Sequence, residues 1–414
     1  MTSGNYLQGS FGPVHEELTV TELPVTGTIP DHLDGRYVRN GPNPLPDPAP
    51  DPATYHWFLG HGMVHGVRLR DGRAEWYRNR WVRNAEVARA LGEEPPPGPT
   101  HAGMDFAANT HVVGHAGRTF AVVEAGSRPV ELTDELDTVG PCDFDGTLPG
   151  GYTAHPHRDP ATGELHAVSY WWGWGNRVQY SVLGPDARIR RTVDIEVAGP
   201  TMMHDFSLTA RHVVLYDLPV TFDVEKAAQG TLPYTWNPDH PARVGLLPRD
   251  SVDGGDVRWF EIEPCYVYHP LNAYDEDDGR VVLDVVRHPS TFRTDHNGPW
   301  EGPPALHRWT VDPAEGKVVE ELLDGHGQEF PRIDERRTGH RHRYGYVVGL
   351  PPEGERPYAD TGLAATSIIR HDLVAGTRQQ RDFGPGTEPG EFVFVPAGDD
   401  AAEDEGVLMG YVYD

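Results

Sequence analysis

Three histidines stand in apolar, strand-like sequence and could bind one metal ion: His155 in YTAHPH, His204 in TMMHDF and His269 in YVYHPLNAY. They are 49 and 65 residues apart, and both intervals are close to one blade of a β-propeller. Because the inner strands of successive blades converge on the propeller axis, three imidazoles from three blades could meet at one ion. The same spacing also fits three ordinary strand histidines, so the pattern alone leaves both alternatives open.

Other sequence motifs that carry chemistry are missing. The chain contains no HExxH, no paired CxxC, no GxSxG, and no Walker or dinucleotide-binding glycine pattern. Its two cysteines, Cys142 and Cys265, provide neither a disulfide framework nor a thiolate metal site. The histidines are therefore the remaining candidates for chemistry.

The elements that would position these histidines are short strands. Runs rich in Val, Leu and Tyr follow Asp/Gly turns along the chain, as in THVVGHAGRTFAVVE (110–124) and DPATGELHAVSYW (159–171), and this is typical of an all-β barrel, sandwich or propeller. Helical patterns are few, and they cover 86–94 and 222–230. No composition break divides the chain, so we predict a single domain over 1–414, a propeller with blades of roughly 45–65 residues.

Composition narrows the range of partners and compartments. The chain has 63 acidic against 35 basic residues and a net charge of −28, so we expect no nucleic-acid partner, because phosphate binding needs a basic face. The N-terminal MTSGNYLQGS lacks the features of a signal peptide, and no apolar run approaches the roughly 18 residues of a membrane span. We therefore expect a cytoplasmic protein.

Ordered segments over essentially the whole sequence resemble the signatures of the carotenoid cleavage oxygenases. These segments are DGRYVRNGPNP (34–44), WFLGHGMVHGVRLRDG (57–72), TAHPHRDPATGEL (153–165), MMHDFSLT (202–209), YHPLNAYDEDDGRVVLDV (268–285), QEFPRID (328–334) and EFVFVP (391–396). Their number and order make the resemblance far more specific than any one of them.

The resemblance implies an all-β, seven-bladed propeller, with short helices and loops capping one face and Fe(II) on the axis. In that family four histidines hold the iron, and His155, His204 and His269 match the first three. Carboxylates accept hydrogen bonds from the outer N–H groups of the ligands and fix their tautomers. Three glutamates match these carboxylates, and a threonine matches a residue beside an open iron position: Glu124, Glu329, Glu391 and Thr110.

The match also implies a difference at the C-terminus. The family's fourth ligand follows the strand that matches GVLMGYVYD, and this sequence ends at Asp414. We therefore expect an incomplete last blade, a set of three histidines and weak metal binding. A catalytically inactive propeller scaffold is one alternative that follows. A non-redox metalloenzyme, such as a zinc hydrolase or an isomerase-like relative, is another.

The other histidines serve as comparisons. In an extended segment, His155 and His157 point the same way but lie roughly 6–7 Å apart, so they cannot easily reach one ion together. We expect His155 to be the ligand and His157 to be solvated. His61 and His65 are predicted to be structural, and the TGHRHRYGY pair to face solvent, namely His340 and His342. No role is predicted for His56, His288 and His307.

The reaction that the resemblance implies is cleavage of a C=C bond by O₂ to give two carbonyl products, which needs no general base. The substrate would be an apolar polyene in a tunnel lined by aromatic side chains. Candidates for that lining are Trp171, Trp172, Trp174, Phe206, Phe292, Phe330 and Phe392, of which we favour Phe206, Trp172, Phe292 and Phe392.

One position bears on the class of substrate. Family members that cleave stilbenes carry a Lys before the first glutamate, and here that position is Val123. This favours a carotenoid or apocarotenoid and leaves a stilbene as the alternative. Family members often take their substrates from membranes, so segments 86–98 and 222–250 are candidates for peripheral membrane contact. The sequence predicts no oligomeric state.

Overall fold

The computed structural model describes residues 5–52, 54–106, 108–298, 301–350 and 365–414. By its internal contacts the chain divides into two compact units, residues 1–154 with 184–190, and residues 155–183 with 191–414. The expectation of a single domain over 1–414 stays a prediction.

The first unit is built from two antiparallel four-stranded sheets and one short helix. Its first sheet has the strand order β1-β4-β3-β2, with β1 Thr19–Val20, β2 Gly35–Asn43, β3 His61–Arg70 and β4 Arg73–Trp81. The second runs β5-β6-β7-β8, with β5 His111–His115, β6 Arg118–Val122, β7 Val130–Leu132 and β8 Thr138–Pro141. An apolar cluster forms the core between their strands: Val64, Val82, Ala108, Ala121, Val130, Leu132 and Leu136.

Local sequence explains the turns and the helix of this unit. Ala116 and Gly117, at φ 51° and 73°, form the whole loop between β5 and β6, and two left-handed residues are what a tight hairpin needs. The hairpin predicted around HAGR is therefore confirmed. The predicted helix at 86–94 is also present, as α1 (Ala85–Leu91). The Asn84 side chain caps its first turn, and Gly92 ends it in the left-handed region.

The second unit contains four further antiparallel four-stranded sheets, apart from residues 189–190 of β12, which belong to the first unit. One has the order β12-β11-β10-β9, with β9 His157–Arg158, β10 Leu165–Tyr170, β11 Arg177–Leu183 and β12 Ile189–Glu196. The next has the order β13-β14-β17-β18, with β13 Ser207–Leu208, β14 His212–Asp217, β17 Arg243–Pro248 and β18 Arg258–Glu261. Between β14 and β17 lie β15 Val220–Phe222, helix α2 Val224–Ala228 and β16 Tyr234–Trp236, and Asp223 caps the helix. This confirms the helix predicted at 222–230.

Two more sheets of the same kind follow along the chain. One runs β19-β20-β21-β22, with β19 Pro270–Asp275, β20 Val281–Arg287, β21 Ala305–Asp312 and β22 Lys317–Asp324. The other runs β23-β24-β25-β26, with β23 Gln328–Arg332, β24 Tyr344–Gly349, β25 Ser367–Asp372 and β26 Thr377–Asp382. The second strand of the first of these sheets, β20, is largely buried, whereas the last strand of the other sheet, β26, is fully exposed.

The number of blades corrects one prediction. Antiparallel four-stranded sheets are the blades of a β-propeller, and the described residues form six of them, not the predicted seven. The last strands are β27 Glu388–Pro389, β28 Val393–Pro396, β29 Gly406–Met409 and β30 Val412–Tyr413. Within the described ranges they pair as β27-β30 and β28-β29, so they form two small sheets instead of one four-stranded blade.

The few helices are short. Helix α1 has seven residues, and no helix in the described part of the chain has the length and apolar character that crossing a membrane requires.

Candidate metal centre

The three histidines singled out from the sequence come together in the second unit. His155 precedes β9, His204 precedes β13 and His269 directly precedes β19, so each lies just before a strand of a different sheet. Nε2 of His204 lies 3.0 Å from Nε2 of His155 and 3.2 Å from Nε2 of His269. All three ligand atoms lie within 4.8 Å of one another. Three histidines that are far apart in the sequence therefore form one cluster of imidazole nitrogens.

These distances fit ligands of a single ion. A metal–imidazole bond is about 2.1 Å, and two such bonds at a right angle place their nitrogens about 3.0 Å apart. Nδ1 of His269 lies 2.8 Å from a carboxylate oxygen of Glu329 and donates its proton there, which leaves the lone pair of Nε2 directed into the cluster. Neutral imidazoles suit Fe, Zn, Cu and Ni, so the donor set fits a divalent transition-metal ion.

Glu329 is the carboxylate that orients His269. It is fully buried, its Oε2 accepts from His269 at 2.8 Å, and its Oε1 accepts from Nε2 of His288 at 2.7 Å. The backbone N–H of Phe330 is a third donor. Burial alone would raise the pKa of this carboxyl, but its contacts with His269 and His288 hold the pKa well below its usual range. Glu329 is therefore a carboxylate at neutral pH.

The pKa values of the two histidines that donate to Glu329 are shifted in opposite directions. Burial opposes the protonated form of both rings. At His269 the charge and hydrogen bond of Glu329 outweigh burial and raise the pKa, whereas at His288 burial prevails and lowers the pKa. His288 was left without a role by the sequence. The only signal for it is its place directly after the apolar strand VVLDVVR, because a buried histidine needs a hydrogen-bond partner.

His157 departs from its predicted environment. Its Nε2 lies 2.7 Å from Oδ1 of Asp205, and its ring packs edge-to-face against Phe206 with centroids 4.8 Å apart. The prediction that His157 is solvated is correct only in part, because 26% of its side chain is exposed while its Nε2 serves the buried Asp205 carboxylate, which requires a donor. This contact joins the segments that carry His155 and His204.

The other predicted polar residues have the following contacts. Glu391 accepts a hydrogen bond from Nε of Arg332 at 2.6 Å, a pairing that the sequence did not indicate. Glu124 and Thr110 belong to the first unit, where the Thr110 hydroxyl donates to Oδ1 of Asn109 at 2.9 Å. The ligand-orienting roles of Glu124 and Glu391, and the place of Thr110 beside the metal, stay predictions.

The four favoured aromatic residues differ in exposure. Phe206 and Phe292 are buried, whereas Trp172 is 46% exposed and stacks on Phe222 with centroids 5.2 Å apart. Phe392 is half-buried and lies 5.9 Å from the ring of Phe383. Whether they line a substrate tunnel stays a prediction.

Of the two other pairs of histidines with a predicted environment, only one member differs from its prediction. His65 bonds Tyr77 at 2.9 Å, and His61 lies 3.8 Å from Glu86, as expected of structural residues. His340 is exposed as predicted. The prediction that His342 faces solvent is wrong, because its ring is buried against Asn272 and Asp284, which provide polar partners.

Propeller-type sheets together with an all-histidine cluster define the class of this protein as a β-propeller with a histidine metal site. A more specific classification comes from sequence comparison. The profile of the family described as "RPE65: Retinal pigment epithelial membrane protein" matches residues 11–414. The chain belongs to this family, the carotenoid oxygenases, as the signature segments indicated.

Individual relatives agree with this classification. A carotenoid cleavage oxygenase of Mycobacterium tuberculosis is 53% identical over 451 aligned residues, covering 98% of this chain and 89% of the relative. A carotenoid 9,10(9′,10′)-cleavage dioxygenase 1 of Phaseolus vulgaris is 31% identical, with coverages of 99% and 82%.

Solved structures give the same result. Lignostilbene dioxygenase of Pseudomonas brassicacearum is similar with a TM-score of 0.87 at 28% identity, covering 99% of this chain and 90% of that one. The cobalt-substituted apocarotenoid oxygenase of Synechocystis is similar with a TM-score of 0.84 at 26% identity and the same coverages.

Proposed function

We propose that this protein is a non-haem Fe(II) dioxygenase that cleaves a C=C bond of a carotenoid or apocarotenoid with O₂ and yields two carbonyl products. The observation that carries the proposal is the convergence of three imidazole Nε2 atoms within 4.8 Å of one another, on segments from three sheets. The carotenoid cleavage activities in the names of the relatives support the choice of substrate.

The residues of the site would have three roles: binding the metal, orienting a ligand and positioning the substrate. His155, His204 and His269 would hold the metal, and Glu329 keeps the proton of His269 on Nδ1. Bound Fe(II) would supply the redox chemistry with O₂. The protein would position the double bond and exclude water, for which buried aromatic side chains such as Phe206 are suited.

Val123 supports a polyene over a phenolic substrate. It is half-buried and packs against the apolar core of the first unit, where stilbene-cleaving members of the family carry a lysine. A stilbene remains the second substrate class to test, because the lignostilbene dioxygenase is similar over almost the whole chain.

We also propose that the protein works in the cytoplasm and takes its apolar substrate at a membrane surface. Support comes from exposed apolar side chains in and near the segments singled out above. Trp172 stacks on Phe222 and is 46% exposed, Val224 is 70% exposed, and Leu91 at the end of α1 is 37% exposed.

Anaerobic loading with Fe(II) followed by a substrate panel tests the function. We expect O₂ uptake and two carbonyl fragments from at least one carotenoid or apocarotenoid, identified by mass spectrometry, and none from zinc-loaded protein. Cleavage of stilbenes alone would move the protein to the second substrate class. Equal turnover with zinc and no O₂ consumption would indicate a hydrolase or isomerase. Metal binding without any turnover would favour the inactive scaffold.

A further inference from the structure

His288 is held close to the metal centre by its backbone as well as by its ring. It follows β20, and its N–H and C=O pair with the C=O and N–H of Tyr266 at 2.8 and 2.9 Å. Two positions before His288, within β20, the N–H of Val286 donates to the carbonyl oxygen of His269 at 3.3 Å. The His288 ring packs edge-to-face on Tyr268 with centroids 5.0 Å apart. The segment that carries His269 therefore fixes the position of His288.

The side chain of His288 completes the environment of Glu329. Both oxygens of this buried carboxylate have an imidazole donor, His288 on Oε1 at 2.7 Å and His269 on Oε2 at 2.8 Å. Two donors on opposite oxygens fix the rotation of the carboxylate plane. Removing His288 would leave Oε1 buried without this partner, and the carboxylate could rotate away from His269.

We propose that His288 is a positioning residue of the metal centre, which acts through Glu329 to orient the Nε2 lone pair of His269. This inference rests on the proposed function, because it presumes that His269 binds a metal. His288 itself is no ligand, since the cluster of candidate ligand atoms in the described ranges contains only His155, His204 and His269.

A second buried histidine–carboxylate pair, His240–Asp217, serves as a control. It shows what the loss of such a pair does when the pair is remote from the metal ligands in its hydrogen bonds. Nε2 of His240 lies 2.7 Å from Oδ1 of Asp217, and both side chains are buried. Asp217 also accepts from Arg243 at 2.8 Å. This pair has the same bond length as His288–Glu329 and similar burial. The hydrogen bonds described for Asp217 do not include one to a candidate ligand.

The experiment measures Fe(II) affinity under argon by competition with a chelator, and the visible absorption of Co(II)-loaded protein. We expect His288→Leu to weaken Fe(II) binding about 10–100-fold, the usual effect of losing an outer hydrogen-bond partner of a ligand, and to change the Co(II) spectrum. His288→Gln, whose amide N–H reaches about as far as Nε2, should restore most of the affinity. His240→Leu should leave both readouts unchanged.

A second measurement tests the route through Glu329. In a Glu329→Ala background, His288→Leu should weaken Fe(II) binding no further. If His288→Leu does not fold, His288→Asn replaces it, because its shorter amide falls short of Glu329. Wild-type affinity in the His288 variant, or an equal loss in His240→Leu, would overturn the inference. Failure of the wild-type protein to bind Fe(II) or Co(II) would instead overturn the proposed function.

Discussion

Nε2 of His155 lies 3.0 Å from Nε2 of His204, although 49 residues separate them in the chain. Because His269 completes the cluster, each ring would supply one of three bonds to the ion. We expect His155→Ala, His204→Ala and His269→Ala each to lower metal occupancy strongly while secondary structure is retained. Metal analysis of gel-filtered protein checks this, with the exposed His340→Ala as control. Wild-type metal content in any one of the three would remove that residue from the ligand set.

The His157–Asp205 contact predicts a loss of stability. The buried Asp205 carboxylate has the His157 ring and the Phe206 N–H as donors. His157→Leu removes the first, and leaving a buried charged acceptor underbonded costs about 1–3 kcal/mol. We expect a lower thermal midpoint in metal-free protein, and a smaller loss in His157→Gln, which keeps an N–H donor. Equal midpoints for His157→Leu and wild type would show that the contact does not contribute to stability.

His166 predicts a specific acid sensitivity. Its Nδ1 donates to the Tyr180 hydroxyl at 2.7 Å, and its Nε2 accepts from Arg249 at 3.0 Å. Burial, with the positive charge of Arg249, lowers the pKa of His166 to about 3. In the unfolded chain, His166 binds a proton near pH 6.5. The contribution of neutral, buried His166 to the free energy of unfolding is therefore complete above that pH. It is lost as the pH falls, by at most about 1.4 kcal/mol per pH unit.

Thermal midpoints of metal-free protein between pH 8 and pH 4.5 measure this effect. His166→Gln keeps an acceptor for Arg249 but does not titrate, so its midpoint should fall less steeply below pH 6.5 than that of the wild type. Parallel curves for the two proteins would contradict the prediction.

Gly62 in the signature GHGMVHG predicts a steric requirement. A Cβ at this position would overlap the carbonyl oxygen of Ala108, whereas a Cβ at Gly114 in β5 would meet nothing within 4 Å. Gly62→Ala should therefore lower the thermal midpoint through overpacking, which costs about 1–3 kcal/mol, and Gly114→Ala should not. A midpoint for Gly62→Ala equal to that of Gly114→Ala would show that the backbone yields without cost.

Local features were predictable because neighbouring residues determine them. The Ala116–Gly117 hairpin and the capped helix α1 follow from turn and capping chemistry within a few residues, and the structure confirms both. The same applies to the turn that leads into β10, where the N–H of Gly163 bonds the carbonyl of Asp159 at 2.8 Å.

Predictions failed where a partner lies far along the chain. His157 was assigned to solvent because it leads into a turn, and His342 because it alternates with arginines, yet their partners include Asp205 and Asp284, 48 and 58 positions away. The count of blades failed for a similar reason. Strand patterns near the C-terminus indicated β-structure, but only pairing decides whether four strands join in one sheet.

The sequence by itself determined the all-β class, the family and three candidate ligands, because residue types and spacing record which positions are apolar, turning or able to bind a metal. Only the tertiary structure decided which oxygen each imidazole bonds and that Glu329 joins His269 to His288. The physical reason is that these hydrogen bonds depend on distances of about 3 Å between side chains, which sheet packing sets and local sequence does not record.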